Sequence, residues 1–283
     1  MPPSPRRMRR PLARYALLYA VLTALAAIVL LPFYWMVVSS FRAPEALFSS
    51  KPSLWLSEPV LVHYAHVLRR TPFVIQFQNS AIVALFTTLA CILSGSFAGY
   101  SLSRFRFTGK LVVSVVIFLA MMFPATVVLI PMFLVFRTLR LLNTYGGLVI
   151  AYATFALPFC TWMMKGFFDS IPVELEEAAI VDGCTRAGAL FRITLPLAAP
   201  GVAATAMFGF LLAWNEYLFA LTLTTSEDMR TLPVGLTLFS GEYYTNYGAL
   251  MAASLMICIP VLVFFLYTNK YMIQGLTAGA VKG

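Results

Sequence analysis

The sequence predicts an all-α polytopic membrane protein with six transmembrane helices. Three observations carry that prediction. Apolar residues make up 60% of the 283 and charged residues only 11%, with a mean hydropathy of +0.85, a balance foreign to water-soluble domains. Six apolar runs each reach the roughly 20 residues needed to cross a bilayer core. Basic residues gather in the breaks between those runs, so the net charge of +9 reads as membrane topology and not as a nucleic-acid footprint.

Residues 1–14 hold Arg6, Arg7, Arg9, Arg10 and Arg14 and form a basic head. The first span, Tyr15 to Ser40, is far longer than the roughly 7–15-residue apolar core of a cleaved signal. Between 41 and 72, Pro44, Pro52, Pro59, Pro72 and mixed charge predict an ordered extramembrane loop or short surface helix. His63 and His66 share a helix face there, but no Cys or carboxylate joins them at ligand spacing, so no metal site is predicted. The second span, 73–101, contains Gly95 and Gly99 four residues apart, which marks a helix-packing face. The third, 111–136, carries Pro124 and Pro131, read as a kink or, more sharply, as a moving gate.

Arg137, Arg140 and Asn143 form a polar turn before the fourth span, 145–168. The fifth is expected to run from Pro200 to Thr222 and the sixth from Tyr247 to Tyr271. Six spans put both termini on one side. Thirteen of the 20 Lys and Arg fall in the N-terminal, 102–110, 165–195 and C-terminal segments and seven in the other loops; the positive-inside bias therefore places both termini in the cytoplasm. Cys91, Cys160, Cys184 and Cys258 show no paired spacing and read as small apolar residues.

The segment 169–196 is a polar island, with Asp169, Glu174, Glu176, Glu177 and Asp182 close together. Pro172 suits a first helical turn and the acids suit the positive end of a helix, so a helix is expected to start near Ile171. Leu175, Ala178, Ala179 and Asp182 share one face, and Gly183 is a left-handed stop. Thr185 is expected to cap a second short helix, which Pro196 ends. The plain alternative is an ordinary loop between two spans.

Glu177-Ala178-Ala179, three residues, Gly183, nine residues, then Ile193-Thr194-Leu195-Pro196 resembles the cytoplasmic "EAA" loop of binding-protein-dependent ABC importer permeases. From the first span to the closing GLTAGAVKG the chain is most similar to the smaller membrane subunit of maltose-type sugar importers. The resemblance implies the type I ABC importer permease fold over 15–283, with 169–196 as a coupling loop. It implies contacts with an ATPase dimer through Glu177, Ala178, Ala179, Asp182, Gly183, Ile193, Leu195 and Pro196. A flexible C-terminal tail, 272–283, is expected to reach that ATPase through Gln274, Gly275, Leu276 and Lys282. Further implied partners are a second permease, forming a heterodimer, and an extracytoplasmic sugar-binding protein, which the outward loop 223–246 with Gly241, Tyr243, Tyr244 and Asn246 would meet.

No G-x-x-x-x-G-K-[ST] phosphate loop, G-x-S-x-G elbow or H-E-x-x-H motif occurs in the chain, so no cofactor is expected on it. ATP and Mg would reside on the partner ATPase. One ionisable residue falls within an expected span, Glu216 in Trp214-Asn215-Glu216-Tyr217. It reads as an interfacial acid or, with its neighbours, as part of a sugar path, since sugars take aromatic faces beside carboxylate and amide acceptors. A permease of the same superfamily for a non-sugar solute is the alternative. A membrane enzyme or secondary carrier would call for paired intramembrane charges, which the spans lack.

Overall fold

The computed structural model describes residues 12–48, 54–56, 58–241 and 245–280, the backbone alone for 12–14 and 272–280. The first helix, α1 (Leu12–Ser40), has its apolar side chains from Leu17 to Leu31 exposed on every face. Its buried residues lie at its end, where Val38, Ser39 and Ser40 pack on the rest of the described chain. Ser40 Oγ lies 2.8 Å from the Tyr64 hydroxyl. Two short helices follow, α2 (Pro44–Leu47) and α3 (Val62–Arg70). His63 is buried, its Nε2 2.9 Å from the Arg42 carbonyl oxygen, so this imidazole pins the loop. Among the described residues no group of three His, Cys, Asp or Glu side chains is placed to hold a metal.

The centre of the fold is the pair α4 (Phe73–Arg104) and α7 (Tyr145–Asp169). Their seam is the Gly95–Gly99 face: a Cβ on Gly99 would stand 2.8 Å from Lys165 N and one on Gly95 3.2 Å from Cys160 Cβ. Only hydrogen in place of Cβ lets the backbones come this close, as the spacing predicts. Between them, in place of one kinked third span, α5 (Lys110–Met122) and α6 (Ala125–Thr138) meet at a turn of 101°. Pro124 explains it. It lacks an N–H, and its ring drives Phe123 into extended backbone, φ −71° and ψ 124°. Pro131, inside α6, leaves that helix unbroken.

Downstream lie α8 (Glu174–Val181), α9 (Arg186–Ala189), a π-helical turn (Leu190–Thr194) and α10 (Leu195–Leu197). A 78° bend leads into α11 (Ala199–Asn215), whose Gly201 and Gly209 pack on Phe167 and Cys91. The expected fifth span to Thr222 is thus divided. After the break at Glu216 and Tyr217 comes α12 (Leu218–Leu223), then two 3₁₀ turns around α13 (Leu232–Gly235), and finally α14 (Tyr247–Ala280). Among the described residues four helices are long and apolar enough to cross a membrane, or up to six spans if each bent pair counts as one.

Two apolar cores hold the ends of this bundle. One, around Trp214, Tyr152, Leu148 and Leu223, joins the spans to 218–239. The other, around Tyr100, Met164, Phe168 and Leu190, joins α4 and α7 to the segment 169–198.

Candidate functional site

The segment 169–196 folds as helix, glycine turn, helix, with three departures from the expectation. The helix α8 begins at Glu174 instead of near Ile171. Ser170 N and Ile171 N bond back to the carbonyls of Phe167 and Phe168 at 3.2 and 3.1 Å, so these residues finish α7, and Pro172 stands outside the new helix. The second departure is Pro196, which does not end the second helix; the chain stays helical to Leu197 and breaks at Ala198. What Pro196 does is widen the turn before it. Lacking an N–H for the carbonyl of residue 192, it leaves Leu195 N to bond Leu190 O, an i to i−5 contact.

The third departure concerns the face Leu175, Ala178, Ala179, Asp182. Only Ala179 of these is buried, together with Glu176 three residues earlier; Leu175, Glu177, Ala178 and Asp182 face outward. Gly183 takes φ +92° with its Cβ direction open, and Cys184 N bonds Ala179 O at 2.9 Å. That left-handed closure is the expected one. Thr185 Oγ1 caps α9 by accepting from Gly188 N at 3.1 Å. Ile193 and Leu195 are half-buried and Pro196 exposed.

The helix α8 departs from an ordinary surface helix in burying one of its three acids while apolar side chains face outward beside Glu174 and Glu177. Its acid Glu176 is 5% exposed, whereas Val181 is 86% exposed, with Leu175 and Ile180 also outward. Glu176 Oε1 accepts from Arg104 Nε at 2.6 Å and Oε2 from the Tyr100 hydroxyl at 2.9 Å. Arg104 Nη2 also donates to Ile171 O at 2.8 Å. Sequence reasoning picked out Glu177 and missed Glu176. The available signal was that three acids on one eight-residue helix, Glu174, Glu176 and Glu177, cannot all face one way.

The other expected site residues are not brought into one constellation. Trp214 is 1% exposed, stacked on Phe210 with ring centroids 5.4 Å apart, and its Nε1 donates to Ile257 O at 3.2 Å. It is a core residue, unavailable for stacking on a solute. Asn215 is exposed and donates to Leu211 O at 2.8 Å; Tyr217 is 40% exposed. Glu216 does not sit within a helix: its Oε1 accepts from Phe219 N at 2.8 Å and its Oε2 from Ala220 N at 3.0 Å. Those amides at the start of α12 offset the carboxylate's charge, a capping role. Gln274, Gly275 and Leu276 continue α14, which is helical to Ala280, in place of a flexible tail. Lys282, Tyr243 and Tyr244 lie outside the described residues.

An apolar groove of about 550 Å³ runs between α4, α11 and α14, lined by Leu89, Ile92, Phe191, Ala203 and Tyr267 among others. Its Thr88 and Thr268 hydroxyls donate to their own helices at Ala84 O and Phe264 O. With those two hydroxyls already engaged and the lining otherwise mostly apolar apart from Tyr267 and Tyr271, the groove is poorly matched to a hydroxyl-rich sugar.

Residues 91–269 match the family described as the binding-protein-dependent transport system inner membrane component. The chain belongs to this family. The permease is 37% identical over 98% of its length to the whole of the trehalose/maltose transport system permease protein MalG of Thermococcus litoralis. It is 37% identical to the sulfoquinovosyl glycerol transport system permease protein SmoH of Agrobacterium fabrum, over 90% of this chain and 89% of that one. With the diacetylchitobiose uptake system permease protein DasC of Streptomyces coelicolor it shares 39% identity, over 89% and 91% of the two chains. Its fold superposes on a chain of a bacterial ABC transporter involved in import of the acidic polysaccharide alginate, with TM-score 0.79, 25% identity and coverage of 96% and 99%. The permease is therefore a multi-pass inner-membrane protein with the ABC importer permease fold.

Proposed function

We propose that this permease moves a sugar into the cytoplasm, driven by ATP hydrolysis on a separate subunit whose dimer docks on the outward face of α8. The observation that carries the docking is the exposed apolar side chains of α8 beside a buried acid. Burying an acid while leaving Val181, Ile180 and Leu175 outward is unfavourable for a helix meant to face water and suits one covered by another protein. Glu177, Ala178 and Asp182 lie on that outward face, Ala179 and Gly183 set the angle of α8, and Ile193, Leu195 and Pro196 complete the element. Gln274, Gly275, Leu276 and Lys282 are assigned to the same ATPase contact. ATP and Mg belong to the ATPase, and the assembly includes a second permease and an extracytoplasmic sugar-binding protein. Both termini and 169–196 face the cytoplasm in this reading.

The sugar assignment draws on the named relatives, whose solutes are trehalose or maltose, diacetylchitobiose and a sulfoquinovosyl glycerol. Of the path residues, Asn215, Glu216 and Tyr217 keep that assignment, as the groups at the helix break, and Trp214 supports them from the core.

Copurification from detergent is the test. An ATPase, a second permease and a binding protein should be recovered together, and mass spectrometry of the binding protein should find a bound sugar. Val181→Asp and Glu177→Lys, with Ala179→Leu and Gly183→Val, should leave the inserted amount near normal and reduce the ATPase recovered. Full ATPase recovery in all four would remove α8 from the contact, and a non-sugar ligand on the binding protein would overturn the solute assignment.

A further inference from the structure

If a partner pushes on the outward face of α8, something on its inward face must receive the push. Only two of its residues point inward, Glu176 and Ala179. Ala179 offers contact without direction, since a methyl group slides on its neighbours. Glu176 offers direction: each carboxylate oxygen is held by a different side chain of α4, Arg104 at 2.6 Å and Tyr100 at 2.9 Å. Both ion-pair partners are almost wholly sheltered, with side chains 8% and 7% exposed, so water neither screens nor replaces the pair. The neighbouring Lys165–Asp169 pair is far wetter, at 22% and 44%, and is worth correspondingly less.

The receiving end is rigid. The last turn of α4 is fixed to α7 by the close approach at Gly99, by Ser103 Oγ donating to Asp169 Oδ1 at 2.6 Å, and by the Tyr100 ring edge-on to Phe168 at 5.7 Å. Arg104 meanwhile holds the connector through Ile171 O at 2.8 Å. One guanidinium thus grips both the connector and α8. We infer that Glu176, with Arg104 and Tyr100, is the strut that carries displacement of α8 into the α4–α7 pair, making Glu176 a positioning residue for transport.

This inference rests on the proposed docking of an ATPase at α8. The test uses the assembled complex in proteoliposomes, with the binding protein that copurifies with unaltered permease as the probe. Glu176→Gln keeps the shape and removes the charge; Tyr100→Phe removes one hydrogen bond and almost no volume. Four quantities are measured: inserted permease, ATPase recovered with it, and ATP hydrolysis without and with the binding protein. Insertion and ATPase recovery should stay near normal. The stimulation ratio should fall at least about fivefold in Glu176→Gln, the lower end of site-to-site coupling, and less in Tyr100→Phe. The exchanged pair, Arg104→Glu with Glu176→Arg, should restore part of it. Unchanged stimulation in both single variants overturns the strut, as does a loss that only follows the amount of ATPase recovered. Unaltered permease that recovers no ATPase defeats the docking reading itself, and the strut with it.

Discussion

Two acids, Glu176 and Glu216, stand at opposite ends of the bundle, and both are kept from open water by different means. Glu216 is held by backbone amides of α12. Around it side chains hold backbone repeatedly: Asn79 Nδ2 donates to the carbonyls of Asp228 and Arg230 at 2.7 and 2.9 Å, Leu232 N donates to Ser80 Oγ at 2.8 Å, and Asn143 Oδ1 accepts from Thr225 N and Ser226 N at 2.7 and 3.1 Å, with the side-chain pairs Tyr145–Asn79 and Asn143–Thr225 beside them at 2.7 and 2.8 Å. Glu176 is held by side chains. Side chain on backbone fixes the path of a loop, whereas side chain on side chain joins two elements that otherwise keep their own shape. The end with Glu216 is a built frame; the end with Glu176 is a joint.

The hardest way to break the comparison is at Arg104. Arg104→Ala should leave Glu176 buried without a counter-charge, a loss of about 3–5 kcal/mol, read as a marked drop in thermal stability in detergent. A stability equal to the parent would mean the pair is not buried in the membrane-embedded protein. Next comes the wall behind the joint. Gly99→Val sets a side chain against the Lys165 backbone, and overpacking there should cost about 1–3 kcal/mol, visible as a lower melting temperature with ATPase recovery reduced only in proportion.

Gly183→Ala isolates backbone conformation, because nothing lies within 4 Å of the added Cβ. Its φ of +92° should make the change cost roughly 1–2 kcal/mol, and since no contact is lost, Gly183→Asn should recover much of it. The mildest test is Glu216→Ala. Removing the cap of α12 should cost about 0.5–2 kcal/mol and lower sugar uptake while assembly with the ATPase persists. Glu216→Asp should fall between the two, and full uptake in Glu216→Ala would confine the acid to structure.

How much of this was legible in the sequence follows from how local each cause is. Gly183 and Thr185 were readable because a left-handed stop and an N-cap depend on a few neighbouring residues. Gly95 and Gly99 were readable because their spacing alone fixes a face. Pro124 was seen, but a proline in a long apolar run permits anything from a slight kink to the 101° turn observed, and only the packing of α5 and α6 chooses. Trp214 beside Glu216 suggested a solute-binding pair, yet the helix ends at Asn215 and sends the ring into the core and the carboxylate onto α12. Glu176 was the least accessible, since its partners lie 72 and 76 residues away and the local signal says only that one of three acids turns inward, not which.

The bare shaft of α1 carries a consequence for how this chain tolerates change over generations. From Leu17 to Leu31 every large apolar side chain stands exposed in the described chain. Within this polypeptide those positions are read only as grease, so one apolar residue serves nearly as well as another. The spelling becomes strict within a few residues, where Tyr34 donates to Leu54 O, Arg42 lies over the Trp35 ring, and Ser39 and Ser40 are buried. Drift among homologues should therefore be fast along the shaft and stop abruptly at its foot.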